Sequence, residues 1–131
     1  MKITQAILDN LTEQAKVSPR LRMNLDLRND EYDTSQRMLN AIEPGSNVPI
    51  HRHQETSETM ICLRGCVVVE YYDDLDRICQ ESFEVSPKGR ITAVNIPKGQ
   101  WHTVRSKESG SVILEMKNGI YKPIGEEDIL K

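Results

Sequence analysis

The chain has 131 residues, 37% of them hydrophobic and 28% charged, with a net charge of -3 at neutral pH. That length suits one domain with a real core. The mild acidity and scattered Lys and Arg give no electrostatic footprint for nucleic acid, and no apolar run is long enough for a membrane-spanning helix.

In residues 3–16, Ile3, Ile7, Leu8, Leu11 and Ala15 recur at helical spacing. The step Ser18-Pro19 stops that helix, because the residue before a proline avoids the helical region. The start of the chain leads straight into this amphipathic pattern and does not look like a signal peptide, which predicts a cytoplasmic protein. Cys62, Cys66 and Cys79 contain no Cys-x-x-Cys pair and read as free thiols of a reducing compartment.

Residues 20–28 alternate: Arg20, Arg22, Asn24, Asp26 and Arg28 against Leu21, Met23, Leu25 and Leu27. Period two predicts a strand with one apolar and one polar face. Solvent contact is the plain reading of the polar face. The other is an anion clamp, because arginine grips phosphate or carboxylate in bidentate fashion. Arg37 and Asn40 stand close enough in sequence to join Arg28 in it.

From there the chain is strands punctuated by turns. Residues 29–35 are a loop, 37–43 a strand ending at Pro44-Gly45, 48–53 a strand, and 59–63 a strand turned by Arg64-Gly65. Residues 67–72 and 77–85 form a hairpin across the acidic loop 73–76. Strands at 91–96 and 101–106 follow, and a last one alternates Val112, Leu114 and Met116 with Ile113, Glu115 and Lys117. The expected fold is all-β, a sandwich or barrel of about eight strands, with one short helix at the amino terminus.

The chemistry concentrates in the three histidines. His51 and His53 are two residues apart, so on a strand they share a face. Glu58 can bring a carboxylate from the next strand, with Glu55 as its competitor, and His102 can return from a later strand. Three imidazoles and one carboxylate leave open positions on a divalent transition metal, and zinc, iron, nickel and manganese all accept such ligands. Met60 and Cys62 keep the parity of Glu58 and should line the space near the metal. Trp101 reads as a packing residue or substrate platform, and Tyr121 can bring a hydroxyl to the pocket mouth.

Gly45, His51-x-His53, Glu58 and Gly65 fit the first cupin motif at every spacing, and Pro97-x-Gly99-x-x-His102 fits the heart of the second. The second motif departs at Ile91, where a glycine is usual, and at Ser106, where an asparagine is usual. The stretches Ser18-Pro19-Arg20-Leu21-Arg22-Met23-Asn24, Gln36-Arg37-Met38-Leu39-Asn40-Ala41 and Lys117-Asn118-Gly119-Ile120-Tyr121 resemble the WbuC family of small cupin metalloproteins. The resemblance implies a cupin double-stranded β-helix, or jelly-roll barrel, over residues 37–131, with residues 1–36 as a helix and extension packed on it. It also implies one mononuclear metal bound by His51, His53, Glu58 and His102, and a surface-polysaccharide context.

The expected activity is a metal-dependent reaction on a small polar substrate, sugar-derived or acidic. An iron-dependent dioxygenase, a non-enzymatic metal or ligand binder, and a metal-free site with histidine acid and base are the alternatives. If the reaction needs a base, Tyr121 or Glu55 has to serve. A homodimer is expected from the exposed sheet edges of such barrels.

Overall fold

A computed structural model describes residues 1–75 and 77–130. The Asp76 end of the predicted hairpin loop lies outside the described residues. Helix α1 runs Gln5–Val17. Eight strands follow among the described residues: β1 Arg22–Asp26, β2 Ser35–Ile42, β3 Glu58–Arg64, β4 Val67–Tyr72, β5 Cys79–Val85, β6 Ala93–Ile96, β7 Trp101–Ser106 and β8 Ser111–Asn118. A 3-10 turn, Glu126–Asp128, sits in the tail.

The strands form two antiparallel sheets, one in the order β1-β2-β8-β3-β6 and the other β5-β4-β7. Their facing sides enclose a core of Ile42, Met60, Cys62, Val67, Val69, Val85, Val104 and Ile113. This is the cupin jelly roll. β1 is hydrogen-bonded into the large sheet along its whole length, so the residue 1–36 extension supplies an edge strand as well as a helix.

The Thr4 hydroxyl caps α1 by accepting the Ile7 N–H at 3.3 Å. Leu8, Leu11 and Ala15 of α1 pack on the outside of the large sheet, against Leu39, Ala41 and Val112, with Met23, Leu25, Leu27 and Leu114 around them. This second apolar layer sets the orientation of three strands. Because α1 takes the apolar sides of β1, β2 and β8, their alternate residues face the other sheet. The polar faces of β1 and β8 therefore turn inward.

One predicted strand is absent. Residues 48–53 form no strand; their backbone pairing with β7 among the described residues is the bridge His51–His102, closed by reciprocal 2.9 Å bonds from each N–H to the other's carbonyl, and the Thr103 hydroxyl donates to the Val48 carbonyl at 2.6 Å. Pro49 has no N–H to donate and keeps the segment from pairing further.

Candidate metal centre

His51 stands in the extended segment after Gly45, and His102 on β7 directly opposite it. His53 follows in a loop rather than a strand, so period two does not orient it. A tertiary bond does: the Gly99 N–H donates to the His53 carbonyl at 2.7 Å and ties this loop to the turn before β7. Gly99 sits at φ +82°, a left-handed conformation that glycine adopts freely.

The three rings gather, with centroids 4.4 Å apart for His51 and His102, 5.1 Å for His51 and His53, and 5.8 Å for His53 and His102. One nitrogen from each lies within 4.8 Å of the others. Donors on one ion stand at most about 4.2 Å apart, twice a metal–nitrogen bond, so small ring rotations close the set.

The ring hydrogen bonds leave the right atoms free. His51 Nδ1 lies 2.8 Å from the Pro49 carbonyl and His102 Nδ1 2.9 Å from the Gln100 carbonyl. A carbonyl only accepts, so each Nδ1 carries the proton and each Nε2 keeps its lone pair. Such anchoring of the distal nitrogen is the usual support for a metal-bound imidazole. Burial, with the neighbouring His102 charge, holds His51 down at about 4, and burial pushes His102 below its ordinary value. Both rings are neutral at pH 7, as ligation requires.

Glu58 begins β3 and is 5% exposed. Its Oε2 lies 3.0 Å from His53 Nε2 and 3.9 Å from Lys117 Nζ. Burial raises its carboxyl, but the His53 hydrogen bond and the Lys117 charge outweigh this and hold it down at about 2. Two ligands at right angles on one ion, each about 2.1 Å from it, stand about 3.0 Å apart. The His53–Glu58 spacing and the donor set both fit one divalent ion. Glu55, by contrast, turns outward to Lys122 at 3.6 Å with both side chains exposed.

His51, His102 and Glu58 open onto a cavity of about 230 Å³. Arg20, Arg22, Asn24, Asn40, Met60 and Glu115 also line it. The carboxy-terminal tail covers one side. Its Leu130 N–H donates to the Ile50 carbonyl at 2.8 Å, the Arg52 N–H to the Asp128 carbonyl at 3.0 Å, and Ile124 and Ile129 enter the lining.

The other sequence candidates fall elsewhere. Cys62 is in the apolar core, where burial pushes its thiol up to about 11. Trp101 is buried, with the Arg52 guanidinium 4.4 Å from its ring centroid. Arg28 is bound to Asp26 at 2.8 Å and lies over the half-exposed Tyr121 ring at 5.4 Å. Arg37 is held by Asp33 and the Leu27 carbonyl. None of these five lines the cavity.

Glu115 is the lining residue that the sequence does not single out. It stands opposite Met60 across the β3–β8 pair. Burial, then the Glu58 charge, pushes its carboxyl up to about 8. A carboxyl held protonated on folding favours the folded state at low pH, and this contribution is lost as pH rises from its unfolded value toward about 8. Glu115→Gln is therefore expected to stabilise the metal-free protein at pH 8 and to change little at pH 4. Urea midpoints at the two pH values check this, and an equal effect at both would show that Glu115 does not titrate as described.

Among solved structures the chain is similar to CapF, covering 82% of this chain and 30% of that one in its complex with 3-isopropenyl-tropolone, at 21% identity and TM-score 0.67. For the capsular polysaccharide assembling protein CapF of Staphylococcus aureus the TM-score is 0.64 at 20% identity, over 86% of this chain and 32% of that one. KdgF of Halomonas sp. matches with TM-score 0.60 and 16% identity, over 79% and 83% of the two chains. Oxalate oxidase in complex with glycolate gives TM-score 0.66 and 18% identity, over 84% and 57%. The chain thus spans about a third of CapF and just over half of oxalate oxidase. At these identities the likeness establishes the cupin fold. No curated protein matches the sequence. A family model matches residues 3–83, from α1 through most of β5, and by that match the chain belongs to the family described as a domain of unknown function, DUF6016.

Proposed function

We propose that this protein is a metal-dependent cupin enzyme acting on a small polar substrate, sugar-derived or acidic. The observation that carries the reading is the convergence of three imidazoles, two of them neutral at pH 7 with Nδ1 tied to a backbone carbonyl. His51, His53 and His102 would hold one divalent transition metal, with Glu58 as the fourth ligand. When bound, the metal supplies Lewis acidity toward a carbonyl or hydroxyl of the substrate.

The chain's own residues supply the rest. Glu58 adds a negative charge that offsets part of the metal's charge in a buried place. Met60, Val69, Val104, Ile96 and the tail's Ile124 and Ile129 exclude water from around the reacting groups. Glu115 stands in the lining, where burial favours its protonated form in the metal-free protein, and is the proton carrier of this reading. Tyr121 and Glu55 lie outside the cavity.

The likeness to the WbuC family and the fold shared with CapF support a surface-polysaccharide context. A cytoplasmic location and a homodimer complete the proposal. No helix is long and apolar enough to cross a membrane among the described residues.

Protein purified from metal-replete medium is expected to carry about one equivalent of a transition metal by elemental analysis, as three imidazoles and a carboxylate gathered on one point retain an ion. Less than about 0.2 equivalents would overturn the reading, since such a site would not hold metal at working concentrations.

A further inference from the structure

We propose that Arg20, Arg22 and Asn40 form an acid-recognition subsite, so that the substrate is a small hydroxy carboxylic acid: its carboxylate pairs with the two guanidinium groups and a hydroxyl beside it donates to Asn40. The inference rests on the metal site above for the far end of the same molecule.

Two unfilled demands meet in the cavity. The first is for negative charge. Arg20 and Arg22 both line it, and among the described residues neither has a carboxylate within ion-pair distance. The neighbouring arginines differ: Arg28 has Asp26, Arg37 has Asp33, Arg52 has Asp128 and Arg64 has Asp9. Arg22 is also held in place. Its Nη1 donates to the Asn47 carbonyl at 3.0 Å and to Ser46 Oγ at 3.3 Å, so its position is set before a ligand arrives. Burial, and the like charge of Arg20 beside it, lowers its pKa, which an anion between the two would reverse.

The second demand is for a hydrogen-bond donor. Asn40 lines the cavity, and its Oδ1 is the one buried side-chain polar atom without a partner among the described residues. A buried acceptor left open is destabilising, and a ligand hydroxyl relieves that cost.

The spacing suits one small molecule. Arg22 and Asn40 stand on adjacent strands β1 and β2, and β8 separates β2 from the Glu58 strand β3. Asn40 is two strand spacings, about 10 Å, from the Glu58 strand and Arg22 is three, about 14 Å, so a short acid held by Arg22 and Asn40 occupies the arginine end of the cavity that Glu58 also lines. The cavity, about 230 Å³, is below the range of about 300–1,000 Å³ for drug-sized ligands, which excludes an intact nucleotide sugar from its interior. Glu58 and Glu115 are the acidic groups in the lining, and both lie on strands beyond β2, away from the arginine edge.

Isothermal titration of the metal-loaded protein with lactate, propionate and lactamide tests this. Lactate is expected to bind at least about tenfold more tightly than either, since one lacks the hydroxyl and the other the charge. Arg22→Met is expected to weaken lactate at least about tenfold while metal content stays as in the wild type. Asn40→Leu should erase the preference for lactate over propionate. If Arg22→Met fails to fold, Arg20→Met replaces it, because the Arg20 side chain bonds to no other described group. Equal binding of lactate and lactamide would overturn the proposal. So would lactate affinity that is unchanged in the arginine variants and lost on removing the metal, which would place the carboxylate on the ion. Failure of the metal reading would show separately, as low metal content in the wild type.

Discussion

His102→Ala is expected to lower transition-metal affinity by more than about 100-fold, because removing a residue that merely supports a ligand already costs about 10–100-fold. His102 is 3% exposed on β7 and exchanges two 2.9 Å hydrogen bonds with His51, so the two imidazoles are presented side by side by one rigid pairing. Its Nδ1 is tied to the Gln100 carbonyl at 2.9 Å, which leaves Nε2 without freedom to turn away. Alanine removes a donor that is neutral, aimed and already desolvated. The remaining His51, His53 and Glu58 would offer as many donors as many zinc sites have, but in an arrangement that includes His102. Chelator competition on refolded protein measures the change. His102→Gln keeps most of the side-chain volume and guards against a folding artefact, and Glu58→Gln should fall less, by about 10–100-fold, because the amide oxygen is a weaker ligand in the same place. Wild-type affinity in both His102 variants would remove these histidines as ligands.

The fold class was legible because turns and alternation are local. Ser18-Pro19 stops α1, Arg64-Gly65 stops β3, and Pro97-Lys98-Gly99 introduces β7 where the spacing predicts. Less legible was which face of a strand looks inward. β1 offers Met23 and Leu25 on one side and Arg22 and Asn24 on the other. Alternation identifies the two faces but not their partners. In an ordinary sandwich the apolar face meets the core and the polar face meets water. Here α1 covers the large sheet from outside and takes the apolar face, so Arg22 and Asn24 line the cavity. The same inversion hides Glu115 in β8, where Val112 and Leu114 face α1 and the charged residue faces the other sheet. An amphipathic helix ahead of an amphipathic strand was the available signal, because two apolar stripes close in sequence are natural partners. His53 was a different case. Its position depends on a long-range bond to Gly99, and no local rule reaches across that separation.

Gly65→Ala is expected to cost about 2–5 kcal/mol of folding stability, against about 1–2 for Gly99→Ala. Both glycines are left-handed, at φ +81° and +82°, so alanine meets the same backbone strain of about 1–2 kcal/mol at each. Their surroundings differ. A Cβ at Gly99 meets nothing within 4 Å, whereas at Gly65 it would stand 2.6 Å from Ser111 Cα. That neighbour is backbone, and it cannot step aside. Ser111 is fully buried, accepts the Cys66 N–H at 3.1 Å and donates to the Glu108 carbonyl at 2.7 Å. Relief would have to come from moving β8 or the β3–β4 turn, and overpacking of this kind adds about 1–3 kcal/mol. Since β3 carries Glu58 and β8 carries Glu115, the same shift should also weaken metal retention in Gly65→Ala. Gly99→Ala acts on the turn between His53 and His102, so its effect on metal should be large relative to its effect on stability. Urea unfolding with chelator competition separates the two, and equal stability losses would show that steric contact with Ser111 contributes nothing at Gly65.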